Sequence, residues 1–290
     1  MSLPVSRRRF LLAAAATATA GAAGVAGYAA LVAPNALDIT EHGLPSAATG
    51  AAVVTIAQVS DLHARAIDRR VERVAQAVAR LAPDIILLTG DVIDRRWTIP
   101  VLEDFLRLLP ASAAKIAISG NWERWCDFDQ RRLEPVYERH GAQLLVNRSV
   151  VIEQRGRRIL FTGLDDLRGG VPDLQAALRG VDPEDSHLLL AHCPAQRDDL
   201  APSRSPDSAR TSTWPESLGV HRPIAMLSGH THGGQVRPLG ITLWTPPGSG
   251  RYVSGWYRDG SIPLYVSRGL GSTGIPVRLN ATPEIALFRI

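Results

Sequence analysis

The chain has 290 residues, with 32 basic and 28 acidic side chains and a formal net charge of +4. So small an excess does not mark a nucleic-acid binder. Two cysteines, Cys126 and Cys193, are too few for a disulfide framework and read as small buried hydrophobes. Lys115 is the sole lysine, and we take the arginine bias as codon usage rather than arginine-specific recognition.

Residues 1–50 are set apart from the fold. Ser6-Arg7-Arg8-Arg9-Phe10-Leu11-Leu12 is basic, and an uncharged stretch of 24 residues, Phe10 to Ala33, follows it. That layout is an export signal, similar to the twin-arginine (Tat) type. The competing reading is a transmembrane anchor, since about 20 apolar residues span a bilayer. Ala18-Thr19-Ala20 and Ala20-Gly21-Ala22 both offer cleavage sites. The expectation is passage through the Tat machinery to the periplasm or cell envelope, with membrane proximity if the signal stays uncleaved. Residues 51–290 then form one domain, a size that single α/β domains reach.

Val53–Val59 is short and β-branched, so it reads as a buried strand ending at Ser60-Asp61. Arg69–Leu81 has apolar residues at helical spacing, and Pro83 breaks it. Asp84–Leu88 is a second buried strand running into Thr89-Gly90-Asp91. A helix over Pro100–Leu109 leads to a third strand, Lys115–Ser119, ending at Gly120-Asn121. This rhythm predicts an α/β fold. Short strands follow at Gln143–Val146, Ser149–Gln154 and Arg158–Thr162, and apolar ones at His187–Ala191 and Ile224–Ser228. The tail carries strands near Leu264–Ser267 and Ile285–Arg289. Residues 195–219 are rich in Ser, Pro, Arg and Asp and predict a mobile surface loop.

Five loops after apolar strands carry metal-ligand side chains: Asp61-Leu62-His63, Gly90-Asp91, Gly120-Asn121, His192 and Gly229-His230-Thr231-His232-Gly233-Gly234. Strand ends are where open α/β sheets build sites. Asp61 and His63 are two apart, as are His230 and His232. In extended backbone such residues point the same way, so each pair aims at one small volume. Carboxylate, amide oxygen and imidazole together suit Mn, Fe or Zn better than Ca or Mg. One carboxylate can bridge two cations about 3.5–4 Å apart, and a water between them becomes a nucleophile at neutral pH.

Ser60-Asp61-Leu62-His63, Gly90-Asp91-Val92, Gly120-Asn121, Ala191-His192 and Gly229-His230-Thr231-His232 stand in the order of the five blocks of the calcineurin-like metallophosphoesterases, which this sequence resembles. The extended Gly-His-Thr-His-Gly-Gly-Gln-Val, the later Tyr265-Val266-Ser267-Arg268-Gly269-Leu270-Gly271 and Pro283-Glu284 resemble its exported YkuE-type branch. That branch is similar to a bacterial UDP-2,3-diacylglucosamine pyrophosphatase. The resemblance spans residues 53–290. It implies a four-layer α/β/β/α sandwich of two mixed β-sheets. It also implies that Asp61, His63 and His232 hold one divalent metal and Asn121, His192 and His230 a second, with Asp91 bridging. A metal-bridging hydroxide would then attack a phosphodiester or pyrophosphate bond of a phosphorylated small molecule or lipid-linked substrate.

The departure from the family pattern is Trp122, which stands where the family usually has a histidine. Indole has one N–H and cannot act as a general acid. Substrates with good leaving groups suffer least from that loss, and Glu123 is the first substitute donor to consider. Trp122 could stack on a base, cover an acyl chain or simply pack in the core. Arg65, Arg95, Arg96, Arg124 and Arg168 lie in loops that reach the site, Arg124 and Arg168 being the preferred phosphate contacts; Arg268 would brace its own turn. His42, His140, His187 and His221 fit no block. The rival readings are a non-catalytic metal-binding scaffold with lapsed activity, and a protein or small-molecule phosphomonoesterase.

Overall fold

Alternation within the apolar runs decides which layer each side chain enters. In the computed structural model, which describes residues 19–45, 52–126, 130–200 and 216–290, the chain forms two six-stranded sheets. The first runs, in spatial order, β1 (Asp38–Gly43), β12 (Glu284–Arg289), β2 (Thr55–Val59), β3 (Ile85–Thr89), β4 (Ala114–Ile118) and β5 (Ala142–Leu144). The second runs β10 (Gly255–Tyr257), β11 (Leu264–Val266), β9 (Ala225–Ser228), β8 (His187–Leu190), β7 (Arg157–Gly163) and β6 (Arg148–Gln154). Both are mixed. β2, β3, β4 and β5 are parallel with β12 antiparallel beside them, and β7, β8, β9 and β11 are parallel between antiparallel β6 and β10.

Along β3, Ile85 and Leu87 join Ile116, Phe161, Leu188, Leu190 and Leu227 in an apolar layer between the sheets. Ile86 and Leu88 point the other way, into a layer with Val71, Val78, Phe105 and Tyr137. Period two on a strand buried on both faces produces this division. The outer helices there are α1 (Arg69–Leu81), α2 (Ile99–Leu108) and α4 (Gln130–Arg139), while α3 (Asn121–Trp125) is a single turn after β4. On the far side, α5 (Leu174–Leu178) and loops around Tyr252 and Ile262 cover Leu189, Met226 and Val266. The result is the expected four-layer α/β/β/α sandwich. α1 has its predicted limits because Asp68 accepts from the Arg70 and Val71 amides at 3.0 and 2.9 Å and Ala82 turns left-handed before Pro83.

Two boundaries differ from the sequence reading. Residues 1–50 are not all outside the fold: β1 pairs in parallel with β12 from Asp38↔Glu284 to Gly43↔Arg289, and Ala29, Ala33 and Leu44 are buried. β1 is a polar edge strand, so it lacks the apolar run that betrays a central one. The twin-arginine residues fall within 1–18 and lie outside the described residues. Among those described, no helix is long and apolar enough to cross a membrane. The expected mobile loop at 195–219 is not loop from its start, because α6 (Gln196–Leu200) occupies that end. Arg197 is fully buried there, donating to the Ile262 carbonyl at 2.7 Å, the Tyr252 hydroxyl at 3.1 Å and Asp259 at 2.9 Å. Residues 201–215 lie outside those described. Both cysteines are free thiols.

Candidate metal centre

Because β2, β3 and β4 are parallel in one sheet and β8 and β9 in the other, their C-terminal ends carry Asp61, Asp91, Asn121, His192 and His230 to one rim of the sandwich. The chain turns there through left-handed backbone. Asp61, His63, Asp91, His230 and His232 have φ of 51°, 46°, 52°, 73° and 52°. The i, i+2 pairs therefore converge through tight left-handed turns, not through extended backbone as the spacing suggested. Glycines make room for this: a Cβ on Gly90 would sit 2.5 Å from His192 Nδ1 and 2.8 Å from the Gly120 backbone.

Asp61, His63 and His232 form one buried group, and Asp91, His192 and His230 another. In the first, His63 Nε2 faces His232 Nε2 at 3.2 Å, and Asp61 Oδ1 lies 3.6 Å from His232 Nε2. In the second, His230 Nδ1 lies 3.3 Å from His192 Nε2, and Asn121 Oδ1 is 2.8 and 3.2 Å from the two rings. Asp91 Oδ2 touches both, 3.2 Å from His192 Nε2 and 3.7 Å from His63 Nε2. The structure thus brings all seven predicted ligands into one place.

Backbone carbonyls fix the rings. His192 Nδ1 meets the Thr89 carbonyl at 2.8 Å, His230 Nε2 that of Pro247 at 3.0 Å, and His232 Nδ1 that of Gly271 at 3.3 Å. A carbonyl accepts only from N–H, so in neutral His192 and His230 the other nitrogen, the one facing the cluster, carries the lone pair. His63 Nδ1 has Asp94 Oδ2 at 3.9 Å. Ring nitrogens of His63 and His232 facing each other at 3.2 Å, with the Asp61 and Asp91 carboxylates beside them, make a buried donor set that fits metal ions.

The electrostatics agree. Burial pushes the Asp61 carboxyl up to about 6, with the charge of Asp91 adding to it. Burial holds His63 and His230 down to about 4 and His232 well below its ordinary value. For His192 burial is overcome by Asp91, which raises the imidazole well above its usual range; His192 and His63 in turn keep Asp91 ionised despite burial. A divalent ion held by these residues would supply the same positive charge and leave His192 Nε2 free as a ligand.

Trp122 is not core packing. Its ring lines a cavity of about 630 Å³ together with Asp91, Asn121, His230 and His232. It meets His63 and Trp125 edge-on, at 6.0 and 5.7 Å between centroids, with Arg95 5.6 Å from its centre. Glu123 does not replace the missing proton donor. It is buried, and its two oxygens accept from the amides of Gly120 and Asp91 at 2.9 Å each, Val92 at 2.7 Å and Ile93 at 3.3 Å. Burial and the Asp91 charge push it up to about 8, but any proton there faces the backbone of the Asp91 loop rather than the cavity.

Among the arginines, Arg124 is committed to Asp165, with Nε at 3.0 Å, and Arg65 to Asp94 at 2.6 Å. Arg268 braces its turn through Glu284 at 2.7 Å, as its motif suggested. Arg168 is near enough to His230 for its charge to lower that imidazole, and Arg95 lies over the Trp122 ring, so both stay beside the site. Sequence reasoning missed Arg278, wholly buried, whose Nη2 lies 3.3 Å from His232 Nδ1. It also missed the apolar cavity wall of Trp125, Val236, Leu243, Trp244 and Ile275. Apart from Trp125, its signal was large apolar residues in a Gly- and Pro-rich tail that offers them no strand.

Fold and site together define the class of metal-dependent phosphoester hydrolases built on a four-layer sandwich. The chain belongs to the calcineurin-like phosphoesterase family, which matches residues 54–234. It is 31% identical over 299 residues to the metallophosphoesterase YkuE of Bacillus subtilis (strain 168), covering 99% of this chain and 98% of YkuE. It is also 31% identical over 294 residues to the phosphodiesterase YaeI of Escherichia coli (strain K12), covering 99% of each. Among solved structures it is similar to TT1561 of Thermus thermophilus, at 15% identity and a TM-score of 0.45, over 76% of this chain and 91% of that one.

Proposed function

We propose that this chain is an exported dinuclear phosphodiesterase, cleaving phosphodiester or pyrophosphate bonds in small-molecule or lipid-linked substrates. One observation carries the reading: two buried donor groups share Asp91, whose Oδ2 lies between His192 and His63. Asp61, His63 and His232 would hold one ion, Asn121, His192 and His230 the other. The donor set favours Mn, Fe or Zn. When bound, such a pair supplies Lewis-acid charge and an acidified water for in-line displacement at phosphorus. The chain's own part is orientation. The Thr89, Pro247 and Gly271 carbonyls hold the rings, and the Trp122 amide fixes Asp91 Oδ1 at 2.9 Å.

Trp122 at the cavity wall leaves no titratable side chain in the family's usual acid position. That favours bonds whose leaving oxygen departs unprotonated, which diesters of acidic alcohols and pyrophosphates supply. The relative YaeI carries the name phosphodiesterase, in line with this reading. The twin-arginine opening, Arg7-Arg8, supports action in the periplasm or cell envelope. The test is elemental analysis of the purified chain together with hydrolysis of bis(4-nitrophenyl) phosphate in added manganese. Close to two transition ions per chain with turnover supports the proposal. Trp122 favours one rival, the metal-binding scaffold with lapsed activity, and bound metal without turnover of any diester would establish that instead.

A further inference from the structure

The wall of the cavity continues outward as an apolar rim. Leu239, Ile241, Leu243, Trp244, Ile275 and Trp125 are each more than half exposed, Leu239 to 95%. Four of them, Trp125, Leu243, Trp244 and Ile275, line the cavity mouth itself. Leu239 is held in left-handed backbone, φ 52°, with its side chain in water. Its loop is pinned: Arg237 donates to the Gly240 carbonyl at 2.9 Å, and the Asn280 side-chain amide to the Arg237 carbonyl at 2.8 Å. A fixed cluster of large apolar side chains facing solvent marks a surface that is covered in use.

Two further observations say by what. First, the two tail segments of the rim, 236–247 and 271–281, contain no acidic residue, and Glu123, beside Trp125 in the third, is buried, while Arg237 stands at the base. Leu, Ile and Trp in segments that carry basic and no acidic residues is the composition of an interfacial membrane contact. Second, the uncharged N-terminal stretch enters the domain at the same place. The turn Tyr28–Val32 is seated by the Arg278 amide, which donates to the Ala29 carbonyl at 2.9 Å. The next residue, Leu279, exchanges backbone bonds of 2.9 Å with Gln235 and Arg237, at the foot of the rim. Tyr28, Leu31 and Val32 are themselves exposed. The described end of the apolar stretch, Tyr28–Val32, and the apolar rim therefore share one end of the molecule, beside the cavity.

We propose that this rim is a bilayer-contacting face, which seats the cavity mouth at the surface of an anionic lipid membrane. The docking stands on the surface alone; its consequence, that phosphodiester headgroups reach the site from the bilayer, rests on the phosphodiesterase reading above. The N-terminal stretch orients the domain, and Trp244 and Leu243 enter the acyl boundary.

The experiment uses the full chain and vesicles of phosphatidylcholine with phosphatidylglycerol bearing brominated acyl chains, which quench only tryptophans that reach the acyl region. No tryptophan precedes Trp97, so the N-terminal stretch itself gives no signal. The expected result is quenching that Trp244→Phe largely removes. Leu239→Ser with Ile241→Ser, at side chains that do not line the cavity, should abolish the Trp244-dependent part. Each large apolar side chain returned to water weakens partition by about tenfold. Hydrolysis of a soluble diester, read in the same samples, should be unchanged by that pair. Vesicle-bound chain with no Trp244-dependent quenching overturns the proposal, the N-terminus alone then holding it. So does a lipid-free dimer that the serine pair dissociates, since a second copy then covers the rim. Intact quenching without turnover upholds docking and sinks the phosphodiesterase reading instead.

Discussion

Trp122→His tests what the unusual residue does to the chemistry. The indole lies along the same cavity wall as Asp91, Asn121, His230 and His232, so an imidazole placed there faces the leaving group. The structural cost is modest. Two edge-on aromatic contacts, to His63 and Trp125, and the Arg95 contact are worth about 0.5–1.5 kcal/mol each. Losing half of that lowers stability by about 1–2 kcal/mol, a few degrees in Tm for a domain of this size. The catalytic gain should be larger and selective, because a general acid contributes about 10²–10⁴ in rate where the leaving oxygen needs a proton. Rates on aryl phosphodiesters of graded leaving-group pKa should therefore fall steeply in the wild type. In Trp122→His the slope should flatten, with at least about a hundredfold gain for the poorest leaving group and little for 4-nitrophenol. Equal slopes in the two proteins would refute the reasoning, since proton transfer would then be supplied elsewhere or not be needed.

Three other outcomes are expected. Asp91→Asn should strip metal from both groups and cut turnover by more than about a hundredfold, whereas His63→Ala should deplete one ion, as elemental analysis will report. His187 is held down to about 4 by burial, against the pull of the His221 carbonyl. Between pH 6.5 and 4 the unfolded chain binds a proton that the fold refuses, so this stability is present above 6.5 and falls by about 3 kcal/mol toward 4; His187→Gln should flatten that limb of the Tm–pH curve, and parallel curves would contradict it. Arg7→Lys with Arg8→Lys should retain a fusion reporter in the cytoplasm, and continued export would remove the twin-arginine assignment.

Much of the frame was legible because its signals are local. α1 is bracketed by Asp68 and Pro83, and β2, β3 and β4 are apolar runs that end on glycine or serine before a ligand. β1 was hidden because an edge strand keeps a polar face, and α4 because Pro135 sits inside it. Glu123 shows why adjacency misleads. α3 begins at Asn121, and successive helical residues point about 100° apart. Asn121 therefore faces the cluster, Trp122 the cavity wall, and Glu123 the backbone beneath. Arg124 likewise was in the right loop but turned toward Asp165. Pairing across the two sheets is long-range, so no window of sequence contains it.

The left-handed turns carry the last consequence. Five predicted ligands, Asp61, His63, Asp91, His230 and His232, hold positive φ without being glycine, each at a cost of about 1 kcal/mol or more. Glycine would relieve each turn but would bring no ligand atom, so the strain is inseparable from the donor set. Burial adds to it, pushing Asp61 up to about 6 while its neighbour Asp91 stays charged. Roughly 5 kcal/mol of conformational cost is thus concentrated where cations would sit, and ions bound there offset it. At free metal one hundred times above Kd, one ion adds about 2.7 kcal/mol of stability, and two nearly independent ions about twice that. At about 2–4 °C per kcal/mol, chelation should lower Tm by about 10–20 °C, and manganese should restore it. The measurement is differential scanning calorimetry before and after dialysis against a chelator, repeated on Asp91→Asn. The variant should melt near the chelated wild type and respond weakly to metal. A wild type whose Tm ignores chelation would mean that the turns are stable by themselves and that the strain argument is wrong.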